Sequence, residues 1–233
     1  MHPDTMRLID RWVGIPLCFF ASFWPLKKAQ ADSISTLATN NTHPDTIVFI
    51  GIAEIGALVV AYPAIKETRK QHPKSRICFI TAPAGVQTLE LMGFEKEDIF
   101  LLETSSIKSL LKGIVNIRSH FKGGRVSAIV LEPFTRFSTL LSAWIGASKR
   151  IGCYRFLNEG VFLGNILTHR LVYNPHLHMS QTYFALAKAL IEPDSAKPLL
   201  KEHVPSQIKN RLKININQLS LNYNSTDSWI FQN

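Results

Sequence analysis

From Thr46 to Ile191 the chain alternates short, continuous apolar runs with longer stretches of helical periodicity. The first run, Thr46–Ile52 (TIVFIGI), is rich in β-branched residues and has no polar alternation. That is the pattern of a strand buried on both faces of a parallel sheet. A turn at Ala53–Ala57 leads into an apolar-periodic helix reaching about His72, where Pro73 ends it. Arg76–Thr81 is a second strand, followed by Pro83 and a helix to Met92–Gly93. Asp98–Leu102 is a third, and Ser105 or Ser106 caps a helix that runs to about Phe121 before Gly123–Gly124 breaks it. Val126–Leu131 is a fourth strand, Thr135–Ile145 a helix, Arg150–Cys153 a fifth strand, and Met179–Ile191 an amphipathic helix. Strands alternating with helices in this way predict an α/β doubly wound parallel sheet.

The flanks read differently. Trp12–Leu26 (WVGIPLCFFASFWPL) is apolar apart from Ser22, with Arg7, Asp10 and Arg11 before it and Lys27 and Lys28 after it. It is shorter than the 18–20 apolar residues a spanning helix needs and carries Pro16 and Pro25. Three readings stand: an anchor lying in a membrane interface, a secretory signal or spanning segment with Ala29–Gln30–Ala31 as its small-residue site, or a helix packed on the domain. Ser33–Pro44 reads as a linker, Val204–Leu219 as a weaker basic helix, and Asn222–Asp227 as a second linker. Trp229–Phe231 starts a strand-like run, which on pattern reads equally as the beginning of a second domain or as an edge strand returning to the first. The expected organisation is an apolar segment at 1–32, a domain at 45–220, and the beginning of another at 226–233.

Charge and cysteines narrow the field. A net charge of +9 implies an anionic partner or surface. The basic residues are spread out and no nucleic-acid-binding signature is present, so a nucleic-acid partner is not expected. Cys18, Cys78 and Cys153 lie in apolar runs without metal-ligand spacing and read as buried free thiols in a reducing, cytoplasmic setting.

The stretch from Leu131 to Gln181 is denser in hydrogen-bonding groups than a connection requires. It follows the fourth strand, and ligands of α/β proteins bind at the carboxyl ends of strands. Arg136, Arg150, Arg155 and Arg170 read as anion contacts, because guanidinium matches phosphate and carboxylate bidentately, or else as surface arginines. Arg155, Asn158, Glu159, His169, Arg170, Asn174, His176 and His178 are read as one long polar loop. His176 and His178 lack further ligands at metal-binding spacing, so no metal is expected. The first strand-to-helix turn, Gly51 to Ala57, spaces its glycines five apart, and no acidic residue closes the second strand; as a nicotinamide fingerprint it fails. Gly56 permits close approach of an anion to the helix N-terminus, or merely eases helix–sheet packing. Glu54 and Glu132 are carboxylates at the ligand-facing edge. Each is either a base for an attacking hydroxyl or a structural group that caps a helix or pairs with Arg136 or Arg150.

Three segments, AEIGALVVAYPAIKETRKQHP, LEPFTRFSTLLSAWIGASKRIG and YRFLNEG with LTHRLVYNPHLHMSQ, occur in an order that resembles the family 9 glycosyltransferases, the ADP-heptose:lipopolysaccharide heptosyltransferase group. The likeness runs from about Thr46 to Leu190, and RLIDRWVGIPL resembles the leader of one branch. It implies the N-terminal, acceptor-side Rossmann-like half of a GT-B fold. It also implies inverting transfer of a sugar from a nucleotide-sugar such as ADP-heptose, with no separate cofactor, to a lipopolysaccharide-core or related anionic glycolipid at the inner face of the inner membrane. On this reading Gly56, Glu132, Arg136, Arg150, Arg155, His169, Arg170 and His176 are the expected substrate contacts. The family generally carries Gly-Asp in the first turn, the Asp being the base the resemblance implies; this chain has Gly56-Ala57, so that either Glu54 takes over, or another base serves, or the chemistry is lost. The resemblance also makes Trp229–Asn233 look like the first strand of a donor domain cut short, so that the chain reads as an incomplete transferase or, alternatively, as a non-catalytic acceptor-binding domain.

Overall fold

The computed structural model describes residues 12, 14–23, 44–52, 55–103, 105–121, 124–156, 161–191 and 198–199, all within one compact unit. The expectations for 1–11, 24–43 and 200–233 fall outside these residues.

Seven strands form one sheet in the order β3-β2-β1-β4-β5-β6-β7, every neighbouring pair parallel. They are β1 (Thr46–Ile50), β2 (Arg76–Thr81), β3 (Ile99–Leu101), β4 (Val126–Val130), β5 (Lys149–Phe156), β6 (His169–Tyr173) and β7 (Pro198–Leu199). The helices are α1 (Gly14–Phe23), α2 (Ile55–Gln71), α3 (Val86–Leu91), α4 (Ile107–His120), α5 (Arg136–Trp144) and α6 (Met179–Lys188). This is the Rossmann-like doubly wound arrangement. Its order reverses between β1 and β4, so the turns leaving those strands diverge to opposite sides of the sheet.

Strand periodicity divides the core in two. Ile47 and Phe49 of β1 face the side covered by α2 and α6, while Val48 and Ile50 face the side covered by α4 and α5. On the α2 side Phe49 stacks on Phe79 at 5.5 Å, and Phe79 meets Phe94 edge-on at 4.5 Å. Both faces being apolar explains why β1, β2 and β4 read as unbroken hydrophobic runs. Ser106, not Ser105, caps α4, its hydroxyl accepting the Ser109 N–H at 3.1 Å.

Two strands were not expected. β6 begins with His169–Arg170 inside the stretch read as loop, and β7 is only two residues long. The described part of the β5–β6 connection, 161–168, contains no helix, although parallel crossovers usually carry one. Leu163, Ile166 and Leu167 turn inward to seal the sheet there. α1 closes over the same segment: Ser22 Oγ accepts the Asn165 N–H at 3.1 Å and donates to Cys18 O at 2.7 Å. Gly164, at φ +59°, lets the two backbones approach, since a Cβ there would collide with Ser22 Oγ and lie 2.8 Å from Cys18 O. α1 also packs on α5. No helix among the described residues is long and apolar enough to cross a membrane.

Candidate functional site

In a parallel sheet every strand ends at the same edge, and here the turns after β1 and β4 separate across the order reversal. Gly51 continues the ladder by donating to Ile80 O at 3.0 Å, and Leu131 donates to Ile50 O at 2.9 Å. A Cβ on Gly51 would lie 3.1 Å from Leu58, so glycine allows α2 to settle closely against the end of β1. Glu132 then spans the gap. Its Oε1 accepts the Ile52 N–H at 2.6 Å, and its Oε2 accepts the hydroxyl of Ser138 in the first turn of α5. The carboxylate is buried. It ties the β1–α2 turn to the β4–α5 turn.

The residues after Glu132 shape the rim. Phe134 has φ +61°, a conformation that costs a side-chain-bearing residue about 1–2 kcal/mol. Its ring meets Tyr173, the last residue of β6, edge-on at 5.6 Å. Strained backbone held by surrounding packing is concentrated at functional sites. Arg136 opens α5 and donates through Nε to Phe162 O at 3.2 Å. Gly56 is the second residue of α2, and a Cβ there meets nothing within 4 Å. Among the described residues, helix–sheet packing therefore does not require this glycine. Arg155 lies near the end of β5, paired with Val172. His176 follows β6 in a turn held by Asn174 Oδ1, which accepts the His176 N–H at 3.0 Å.

Three of the expected contacts lie elsewhere. Arg150 is the second residue of β5, at the opposite end of the sheet, and is 1% exposed. Its guanidinium donates to Ile166 O at 2.5 Å and Ala147 O at 2.5 Å, so carbonyl dipoles help to solvate the buried charge. His169 opens β6, is fully buried, and pairs through Nδ1 with Thr168 Oγ1 at 2.9 Å. Arg170 stacks on Tyr154 at 4.5 Å and donates to Asn165 Oδ1 at 2.8 Å, so it braces the connection on which α1 sits. The polar residues after Arg150 thus do not form one loop: among the described ones, His169 and Arg170 open strand β6, while Asn174, His176 and His178 follow its far end. His178 caps α6, its Nδ1 accepting the Ser180 N–H at 3.2 Å. Glu54, Asn158, Glu159 and the side chain of Arg155 lie outside the described residues. Among the described residues, no three His, Cys, Asp or Glu side chains gather as a metal-binding group.

The Phe134–Tyr173 pair is not legible in the sequence. Pro133 marks a turn, but nothing in the sequence says that a phenylalanine would take the left-handed conformation after it.

No protein-family model and no curated protein matches the chain. Among solved structures, the glycosyl transferase family 9 protein of Veillonella parvula superposes with a TM-score of 0.50 at 16% identity, over 78% of this chain and 51% of that one. The E. coli ADP-heptose lps heptosyltransferase II superposes with a TM-score of 0.47 at 19% identity, over 76% and 51%. An E. coli heptosyltransferase with ADP-2-deoxy-2-fluoro heptose gives 0.46 at 7%, over 65% and 50%. The chain spans about half the length of the structures it matches. In fold, over that half, it resembles the family 9 glycosyltransferases.

Proposed function

We propose that the chain supplies the acceptor-binding half of a glycosyltransferase, which moves a sugar from a nucleotide-sugar, of the ADP-heptose kind, to a lipopolysaccharide-core or related anionic glycolipid at a membrane surface. The observation that carries this reading is the Glu132 clamp at the order reversal. It holds the β1–α2 turn and the Phe134 rim in one fixed arrangement at the ligand edge of the sheet. The ordered motifs quoted above and the family 9 fold likeness support the reaction class.

In such a reaction a base takes the proton of an acceptor hydroxyl, the oxygen attacks the anomeric carbon, and the bond to the nucleoside diphosphate breaks with inversion. Glu132 already accepts two donors and serves as a positioning residue. Glu54, two residues beyond the Ile52 N–H that Glu132 holds, is the base on this reading. Arg136, Arg155 and His176 contact the acceptor's anionic groups at the same edge, and the start of α2, where Gly56 adds no side chain, receives a substrate oxygen. The proposed domain spans 45–220.

Radiolabelled ADP-heptose and deep-truncated lipopolysaccharide form the test. The chain should bind the acceptor, and Arg136→Ala should weaken that binding. In a protein containing both halves, Glu54→Gln should lower kcat by about a hundredfold or more. Full activity of that variant removes Glu54 as base; absence of acceptor binding removes the reading as a whole.

A further inference from the structure

The outer surface of the α4–α5 side has a character of its own. α4 and α5 cover one face of the sheet, joined where Arg118 lies over Trp144 at 4.8 Å and donates to its carbonyl at 2.6 Å. α1 packs on α5. These three helices contain no aspartate or glutamate, while Lys108, Lys112, Arg118 and Arg136 are theirs. On α1 the docked line is narrow: Gly14, Cys18 and Ser22, four residues apart. The rest of its circumference is apolar and outward, with Phe20 and Phe23 69% and 73% exposed and Phe19 between them and the docked line. On α4, Ile107, Leu111 and Val115 are also exposed and four apart, which aligns them as one stripe beside Lys108 and Lys112.

We infer that this side of the domain docks on a bilayer surface bearing anionic phospholipid, with the aromatic residues of α1 inserted at the interface and Lys108 and Lys112 at the level of the lipid phosphates. Several observations select a bilayer over other occupants. A helix apolar over most of its circumference would need a protein partner to wrap it, whereas acyl chains surround it without shape complementarity. A second copy meeting the same face across a two-fold axis would set these lysines and arginines against themselves. The described helix, ten residues long, is far too short to span, which favours insertion to the depth of the headgroup–acyl boundary. Ser22 and Gly164 fix α1 to the domain, so insertion also orients the sheet relative to the membrane rather than merely tethering it. The inference extends the glycolipid-acceptor reading, but docking is measured with neither donor nor acceptor present, so the two fail separately.

The test is sedimentation of the full chain with vesicles of phosphatidylcholine alone or mixed with phosphatidylglycerol. Binding to the mixed vesicles is expected, weakening as salt rises. Phe20→Asp combined with Phe23→Asp should lower it by about tenfold or more. Lys108→Glu combined with Lys112→Glu should lower binding to mixed vesicles at least about fivefold per residue and leave binding to pure phosphatidylcholine unchanged. Circular dichroism checks that both variants fold; should the first not fold, the lysine variant and the salt dependence decide alone. Failure of the chain to sediment with either vesicle overturns the inference. So does a dimer in analytical ultracentrifugation that the phenylalanine variant dissolves while vesicle binding persists.

Discussion

Glu132, just past the end of β4, accepts the backbone N–H of Ile52, just past the end of β1, at 2.6 Å across 80 residues of sequence. The bond closes the gap where the strand order reverses, the place where a doubly wound sheet otherwise leaves a crevice. With Oε2 taken by Ser138, one buried carboxylate sets the relative position of two helix starts.

Removing that acceptor leaves a backbone N–H and a hydroxyl without the carboxylate. Glu132→Ala should therefore destabilise the fold by about 1–3 kcal/mol in urea unfolding. Glu132→Gln, which keeps one carbonyl oxygen for Ile52, should lose less. Equal stability of wild type and the alanine variant would show that the clamp contributes nothing.

Phe134 offers a test with an inverted sign. Glycine normally lowers stability relative to alanine, but at φ +61° alanine retains the backbone strain and glycine does not. Both variants lose the Tyr173 contact, so Phe134→Gly should exceed Phe134→Ala by about 1 kcal/mol in thermal unfolding. The ordinary order, alanine above glycine, would contradict the strained turn.

The thiols report on the seating of α1. Burial pushes the Cys78 thiol up to about 12, and Cys18 and Cys153 are buried as well. None should react with a disulfide reagent at pH 8 in the native protein, and all should react in denaturant. Gly164→Ala, whose Cβ collides with Ser22, should free α1 and make Cys18 reactive while Cys78 and Cys153 stay protected. Three inert thiols in that variant would mean that α1 accommodates the methyl group without lifting.

Asp45 connects stability to pH at the opposite edge. It accepts the Arg125 N–H at 2.9 Å, and this backbone hydrogen bond, ahead of the Arg125 side chain, holds its carboxyl below the usual carboxylate range. A group with a lowered folded pKa stabilises above its unfolded value, and that contribution is lost as pH falls through the folded one. The difference in Tm between wild type and Asp45→Ala should thus be largest at neutral pH and shrink below about pH 4. A gap that widens on acidification would reverse the assignment.

The strand and helix alternation was legible because both sheet faces are apolar, so β1, β2 and β4 announce themselves as unbroken runs. β6 was hidden by its first two residues. His169 and Arg170 read as loop, yet Thr168 and Asn165 satisfy their side chains inside the fold. Arg150 shows the same limit: its charge is visible in the sequence, but the carbonyls of Ala147 and Ile166 that absorb it converge only once β5 and the following connection are in place. Glu132 was recognisable as a carboxylate at the right edge, while its partner 80 residues earlier was not. Such contacts are set by topology, and local patterns do not encode them.

The seating of α1 on the connection between β5 and β6 also has a consequence for how the protein is made. Ser22 and Asn165 are 143 residues apart, so α1 leaves the ribosome well before the segment that receives it exists. During that interval a short, nearly all-apolar helix has no protein surface to cover. Loop closure over such a distance makes its docking a late event in folding. The nascent chain therefore carries an exposed aromatic segment through most of its synthesis, when a lipid surface or a chaperone is the available shelter.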